Sequence, residues 1–367
     1  MIYKNRPLYL LIKPASGLCN LRCRYCFYLD EHEHSRSVMT PETLEVIVKK
    51  ACEATGRYLT IAFQGGEPTL AGLPFFRHLV ELQKQYAGPG LTVSNALQTN
   101  GRVIDGEWAA FFAENKFLVG LSADGPADIH DQYRVDAGER GSHKDAMRAA
   151  RLLAKHNVDF NILTVLHAGT AAHIGKVYGF LQRAGLPWMQ FIPCISSPGD
   201  PWDMTAEAYG DCLCRMFDMW YRDVKAKKFV YIRHFENLVG MMRGHPPEQC
   251  SMLGVCAPQI VVESDGTVYP CDFYVKDRLC IGSLLTDGFE EIEENRARLG
   301  FIEGSRQVSP ACRTCEWAAL CRGGCRRDRD PDGTAEQTVH NKYCLAYKRF
   351  FAYAYDRLAE LAGAVRP

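Results

Sequence analysis

Through the first two hundred residues, short apolar runs alternate with stretches of helical periodicity. Six runs of β-branched, leucine and aromatic residues read as strands: LYLLIK (8–13), YLTIAF (58–63), LTVSNALQ (91–98), FLVGLS (117–122), DFNILTVL (159–166) and WMQFI (188–192). Helical spacing fills the intervals. TPETLEVIVKKACEA opens on a threonine cap, with proline at the first helical position and glutamate behind it, which is a helix start signal. GSHKDAMRAARLLAKH places Ala146, Ala149, Ala150 and Leu153 at helical intervals. Strand and helix in alternation imply parallel strands, closed or partly closed, so the expected class is α/β with a barrel-like sheet over residues 1–196. A doubly wound open sheet is the competing topology.

The polar motifs of this region stand where such a sheet gathers its functional loops, at the carboxyl ends of strands. A cysteine triplet follows the first strand, QGGEPT the second, QTNG the third and SADG the fourth. One site can collect them all, whereas a doubly wound sheet binds at one switch point and needs no motif after every strand. Residues 197–247 turn helical, including AEAYGDCLCRMFDMWYRDVKAK, and read as a bridging segment. Residues 248–367 are dense in cysteine, carry a hairpin in APQIVVESDGTVYPC with Asp-Gly at the turn, and close on the aromatic helix CLAYKRFFAYAYDRLAELA. This reads as a second domain organised by metal.

Charge narrows the partners. Lys plus Arg and Asp plus Glu both number 43, so the formal net charge is zero, and no basic block singles out nucleic acid as a partner. No segment approaches the ~20 apolar residues of a membrane span, and the apolar run in MIYKNRPLYLLIKPASG is too short for a signal-peptide core and closed off by a lysine. A cytoplasmic protein is expected, without nucleic-acid or membrane partners. Its 16 cysteines are then metal ligands for the most part rather than disulfides.

The stretch CNLRCRYCFY supplies Cys19, Cys23 and Cys26 but no fourth thiol. Three thiolates can hold three irons of a four-iron cubane and leave the last iron open to a non-protein ligand. A zinc loop with a distant fourth ligand is the alternative. Gly65 and Gly66 in QGGEPT permit close backbone approach, and Glu67 can accept hydrogen bonds from an amine, although Gly-Gly-Glu-Pro alone also reads as a plain turn. The C-x3-C-x2-C spacing, with an aromatic before the last cysteine and a strand-end GGE, resembles the radical S-adenosylmethionine (radical SAM) superfamily. That resemblance implies a partial (β/α)6 radical SAM barrel. It also implies that the missing ligand is the amino and carboxylate group of the cofactor's methionine, and that one electron cleaves the sulfonium to a 5′-deoxyadenosyl radical. By the same resemblance Tyr25, Gly66, Ser122, Arg134 and Ile195 fall where the family contacts the cofactor. Arg134 suits the methionine carboxylate, Ser122 a hydroxyl or carboxylate, and Ile195 the adenine.

Eight cysteines in the carboxyl-terminal part suffice for two four-cysteine sites, and CRTCEWAALCRGGC has a C-x2-C-x5-C-x3-C pattern followed by NKYC. This resembles the SPASM domain of peptide-modifying radical enzymes, which carries two auxiliary 4Fe-4S clusters. The resemblance assigns Cys250, Cys256, Cys271 and Cys325 to one cluster, and Cys312, Cys315, Cys321 and Cys344 to the other, making three 4Fe-4S clusters in all. A pair of structural zinc sites is the alternative. The arginines of CRGGCRRDRD offset cluster charge, bind an acidic substrate, or are a solvated self-paired run. Cys52, Cys194, Cys212, Cys214 and Cys280 are expected to be buried thiols.

LLIKPASGLCNLRCRYCFY, FQGGEPTLAG, LQTNG, FLVGLSADGP and VVESDGTVYPCDFYV together look like the anaerobic sulfatase-maturating enzymes. The likeness implies oxidation of a sulfatase cysteine or serine to Cα-formylglycine, with an unfolded or nascent sulfatase as substrate and flavodoxin or ferredoxin as electron donor. Asp272, directly after Cys271, would be the base that takes the thiol proton; capping the hairpin exit or pairing with an arginine is its other reading. Gln64, Gln98, Thr99 and Asn100 stand at strand ends where they can hold a peptide backbone. ISSPGDPWDMTAEAYG departs from the family pattern and leaves substrate breadth open. The rival functions are a SPASM enzyme that cross-links or epimerises a ribosomal peptide and, more remotely, a non-catalytic metal scaffold.

Overall fold

The six expected strands all form in the computed structural model, which describes residues 3–28, 37–197, 199–330 and 340–363. They are β1 (Leu8–Ile12), β2 (Tyr58–Phe63), β3 (Thr92–Thr99), β4 (Leu118–Ser122), β5 (Phe160–Leu166) and β6 (Trp188–Pro193). A two-residue β7 (Tyr231–Ile232), the hairpin β8 (Ile260–Val262) and β9 (Thr267–Tyr269), and β10 (Gly282–Ser283) follow. The chain divides into two units: Met1–Ser122 with Asp131–Phe160 and Pro258–Gly300, and Ala123–His130 with Asn161–Ala257 and Phe301–Pro367.

In the first unit β1 to β4 lie parallel and in chain order, with Leu10 opposite Ile61, Ile61 opposite Asn95 and Leu97 opposite Val119. That order never reverses, so the doubly wound alternative fails here. Leu8, Leu10 and Ile12 of β1, with Leu59, Ile61 and Phe63 of β2, are buried at every second position. Phe63 meets Phe76 of the helix Leu73–Tyr86 edge-on at 5.2 Å, and Phe76 meets Trp108 of the helix Gly106–Glu114 at 5.5 Å. The helix Pro41–Ala54 starts where expected, with the Thr43 amide donating to the Thr40 hydroxyl. The helix His143–Lys155 buries the expected Ala146, Ala149, Ala150 and Leu153.

The Asp-Gly hairpin does more than its local pattern suggests. Its first strand extends the first unit's sheet by pairing parallel to β1, Leu10 opposite Ile260 and Ile12 opposite Val262. The Ser16 and Ser264 hydroxyls hydrogen-bond at 2.8 Å, and the Ser264 amide donates to Ser16 Oγ at 3.1 Å. The segment that begins at Cys271 is thereby pinned beside the end of β1.

In the second unit β5, β6 and β7 run parallel. The helices Ala206–Lys225, Arg233–Met242 and Cys344–Ala362 share an aromatic core in which Phe217, Phe235 and Phe350 meet at 5.3 to 5.7 Å. Cys52, Cys194, Cys212 and Cys214 are buried as expected. Cys280 is not; it lies exposed at the end of the turn Asp277–Leu279, with its thiol against the Gly282 carbonyl. Among the described residues no helix is long and apolar enough to cross a membrane.

Candidate active site

The loop after β1 and the loop after β2 are built against each other. The Gly66 amide donates to the Ser16 carbonyl at 2.7 Å and the Glu67 amide to the Leu18 carbonyl at 2.8 Å. A Cβ on Gly66 would lie 2.1 Å from the Leu18 oxygen, and Gly65 has φ +116° with its Cβ position 3.0 Å from Lys13 Cβ. Both glycines are therefore required by the polypeptide itself. Glu67 is fully buried and ties the ends of β2 and β3 together: Oε1 accepts from the Thr69 hydroxyl at 2.7 Å and the Thr99 hydroxyl at 2.8 Å, and Oε2 accepts from the Asn100 amide at 2.8 Å. Burial pushes its carboxyl upward, and these donors oppose the shift.

Two further edges fix the cysteine loop. The Asn100 side chain donates to Asn20 Oδ1 at 2.8 Å, and Arg102 Nη1 donates to the Asn20 carbonyl at 3.1 Å. On the other edge the Arg22 amide donates to the Val135 carbonyl at 2.6 Å and the Arg24 amide to the Tyr133 carbonyl at 2.9 Å. These bonds deliver Arg134, buried, with its guanidinium 5.5 Å from the Tyr25 ring centre. Cys19, Cys23, Cys26, Tyr25, Glu67, Asn100 and Arg134 thus come together at the carboxyl ends of the first strands. Ser122 stands half-buried at the end of β4; in the second unit Ile195 is half-buried just past β6.

The thiols suit a polycationic guest. Burial pushes Cys19 up to about 12, with Glu67, Cys23 and Cys26 adding to the shift. Burial also raises Cys26, against the pull of Arg134 and Lys13. Three thiolates facing one another need a positive centre to be stable, which an iron-sulfur core provides.

The centre of the site that the sequence reading missed is Lys13. In the sequence it reads as the charge that closes an apolar run; the structure buries it completely. Its ammonium lies 2.7 Å from Asp272 Oδ1 and 4.0 Å from Glu263 Oε1, and 3.5 Å from the centre of the Tyr28 ring. Tyr28 donates its hydroxyl to Glu263, and Gln64 donates its amide to Asp272 Oδ2. Asp272 is accordingly paired with a lysine rather than an arginine: Oδ2 accepts the Gln64 hydrogen bond, and Oδ1 takes part in the ion pair alone. A signal existed: Lys13 shares strand parity with Tyr9 and Leu11, on the face opposite Leu8, Leu10 and Ile12, so it had to turn into the sheet's other side. Of the other strand-end polar residues, Gln98 is exposed, while Thr99 is buried and spends its hydroxyl on Glu67.

In the second unit Cys312, Cys315, Cys321 and Cys344 line one cavity of about 340 Å³, a volume far beyond that of a single ion. Trp317, Tyr347 and Phe351 supply its apolar wall, and Arg322 and Lys348 its cationic rim. Burial pushes Cys321 up to about 11, and Cys344, Cys312 and Cys315 add to the shift. Cys256 is likewise raised by burial with Cys250 adding, and burial pushes Cys325 up to about 12 with Cys256 adding. Cys271, in the first unit, is half-buried and caps the turn Asp272–Tyr274.

Comparison with known proteins defines the class first. Residues 14–181 match the radical SAM superfamily and residues 254–316 match SPASM, an iron-sulfur cluster-binding domain. A cysteine-type anaerobic sulfatase-maturating enzyme of Clostridium perfringens (strain 13 / Type A) is 42% identical over 98% of this chain and 100% of its own length. A serine-type anaerobic sulfatase-maturating enzyme of Bacteroides thetaiotaomicron is 30% identical over 95% of this chain and 89% of its own. The solved structure described as native anSMEcpe with bound AdoMet superposes with a TM-score of 0.93 at 42% identity, covering 97% of this chain and 99% of that one. The chain belongs to the anaerobic sulfatase-maturating enzymes, with the radical SAM α/β fold followed by a SPASM domain.

Proposed function

We propose that this chain oxidises a cysteine in the active-site motif of a sulfatase to Cα-formylglycine. The observation that carries the reading is Asp272, next to Cys271, hydrogen-bonded by Gln64 and ion-paired with buried Lys13 within the same unit as Cys19, Cys23 and Cys26. Preference for cysteine over serine is supported by the higher identity to a cysteine-type relative, 42% against 30% for a serine-type one. The cross-linking and epimerising alternative has no comparable support.

Cys19, Cys23 and Cys26 would hold a 4Fe-4S cluster whose open iron takes S-adenosyl-L-methionine. Tyr25, Gly65, Gly66, Glu67, Ser122, Arg134 and Ile195 form the cofactor's surroundings. Cys250, Cys256, Cys271 and Cys325 would hold one auxiliary 4Fe-4S cluster, and Cys312, Cys315, Cys321 and Cys344 the other. When bound, these groups supply a 5′-deoxyadenosyl radical that removes one Cβ hydrogen from the peptide, and an acceptor for the single electron released afterwards.

The chain's own residues do the rest. Asp272 accepts the thiol proton as the Cβ radical gives up its electron, so that the carbon–sulfur single bond becomes the double bond of a thioaldehyde. Water then replaces sulfur, releasing hydrogen sulfide and leaving the aldehyde. Gln98, exposed at the end of β3, is left to hold the peptide backbone, while Gln64, Thr99 and Asn100, expected to do the same, commit their side-chain groups to Asp272, Glu67 and Asn20 and shape the rim instead. Residues 1–196 would carry radical generation, 197–247 bridge, and 248–367 hold the auxiliary clusters together with Asp272. The substrate is an unfolded or nascent sulfatase, the reductant a flavodoxin or ferredoxin, and the compartment the cytoplasm.

The test is anaerobic incubation of iron-loaded protein with cofactor, reductant and matched peptides carrying cysteine or serine in the sulfatase motif, read by mass spectrometry. Formylglycine from the cysteine peptide supports the reading. Cross-linked or epimerised peptide without formylglycine would reject it.

A further inference from the structure

We infer that Lys13 is a positioning residue for the oxidation step, holding the Asp272 carboxylate where it takes the substrate's proton; this rests on the reading of Asp272 as the proton acceptor. A lysine buried this completely is costly unless its charge is met, and here two carboxylates meet it. They are not equivalent. Glu263 stands at 4.0 Å and receives the Tyr28 hydroxyl, whereas Asp272 stands at 2.7 Å. Charge balance alone needs one carboxylate, and the Glu263–Tyr28 pair with the Tyr28 ring 3.5 Å from the ammonium fixes Lys13 from behind. Its remaining reach is toward Asp272.

Asp272 needs such a grip, because it lies on a short turn that begins directly after Cys271. Gln64 donates a hydrogen bond to Oδ2, and the Lys13 ammonium draws Oδ1 toward itself as an ion pair at 2.7 Å without hydrogen-bond geometry, so charge rather than a second hydrogen bond sets the carboxylate's orientation. Remove the ammonium and, among the described residues, the Gln64 amide is the donor that remains, leaving the acceptor free to swing. Misplacement of a reacting group by about 1 Å costs on the order of 100-fold in rate. Radical formation does not use this carboxylate, so the loss falls on peptide oxidation and the two products uncouple.

The experiment compares iron-loaded wild type, Lys13→Met, Lys13→Met with Glu263→Gln, and Asp272→Asn. The double variant removes one buried charge of each sign, which guards against misfolding from two unmet carboxylates. Iron content and anaerobic melting temperature are read alongside formylglycine and 5′-deoxyadenosine, with KM for the peptide separated from kcat. The expected result is iron content near wild type in the double variant at least, unchanged peptide KM, and formylglycine per deoxyadenosine lowered about 100-fold. A wild-type ratio in Lys13→Met overturns the inference, as does parallel loss of iron and both products in both Lys13 variants. A wild-type ratio in Asp272→Asn refutes the Asp272 reading and this inference with it. A low ratio in Asp272→Asn beside a wild-type ratio in Lys13→Met refutes the Lys13 role alone.

Discussion

Gly66 and Leu18 pack so closely that a Cβ on the glycine would stand 2.1 Å from the leucine carbonyl oxygen. The contact locks the loop after β2 onto the loop that carries Cys19, while the Glu67 amide bonds the same carbonyl at 2.8 Å. A methyl group here meets backbone on the other side, so it has to displace the cysteine loop.

Gly66→Ala is therefore expected to destabilise the protein by about 1–3 kcal/mol, as overpacking does. It is also expected to lose the ~4 irons of the triplet site while keeping ~8 elsewhere. Anaerobic melting and iron analysis check this. Full iron content with normal deoxyadenosine formation would show that the loop adapts.

Replacing Cys19, Cys23 and Cys26 together by alanine separates the sites by ligand set. The variant should fold and retain ~8 irons, because the remaining ligand thiols are drawn from other segments. It should form no 5′-deoxyadenosine. Any turnover of cofactor in the triple variant would remove the triplet from radical formation.

Strand and helix positions were legible because each has one buried face, and burial leaves a period of two or 3.6 in the sequence. The pairing of β8 with β1 was not, since nothing local in VVESDGTVY records which strand its edge will meet. Lys13 was misread for a related reason. A charge at the end of an apolar run looks like a stop signal until its partners, Asp272 and Glu263, are folded against it from the far end of the chain. The glycines of GGE were legible as a close approach, but the surface they approach is the cysteine loop. Cys280 escaped because burial of a thiol outside any periodic element leaves no pattern.

His234 gives the second unit an acid-sensitive core. Its ring packs against Phe235 and Phe350, and burial holds its pKa down at about 4 from 6.5. The folded state refuses a proton that the unfolded chain accepts, so this contribution to stability is whole above pH 6.5 and declines as pH falls from there toward 4. Between pH 7.5 and 5.5 the loss is about 1.4 kcal/mol. Denaturation of wild type and His234→Phe at both pH values should show that part of the difference vanishing in the variant. An equal pH dependence in the two proteins would mean the histidine is protonated in the fold.

As the proposed base, Asp272 takes the substrate's proton after the radical has been made elsewhere in the site. Asp272→Asn keeps the size of the side chain and one acceptor oxygen but removes the base and the second acceptor that faces the Gln64 and Lys13 donors. The decisive measurement is the yield of formylglycine and of 5′-deoxyadenosine from one anaerobic reaction of this variant with a cysteine-containing sulfatase peptide. With iron content intact, the expected products are deoxyadenosine without formylglycine; peptide oxidation at the wild-type rate would rule out Asp272 as the base.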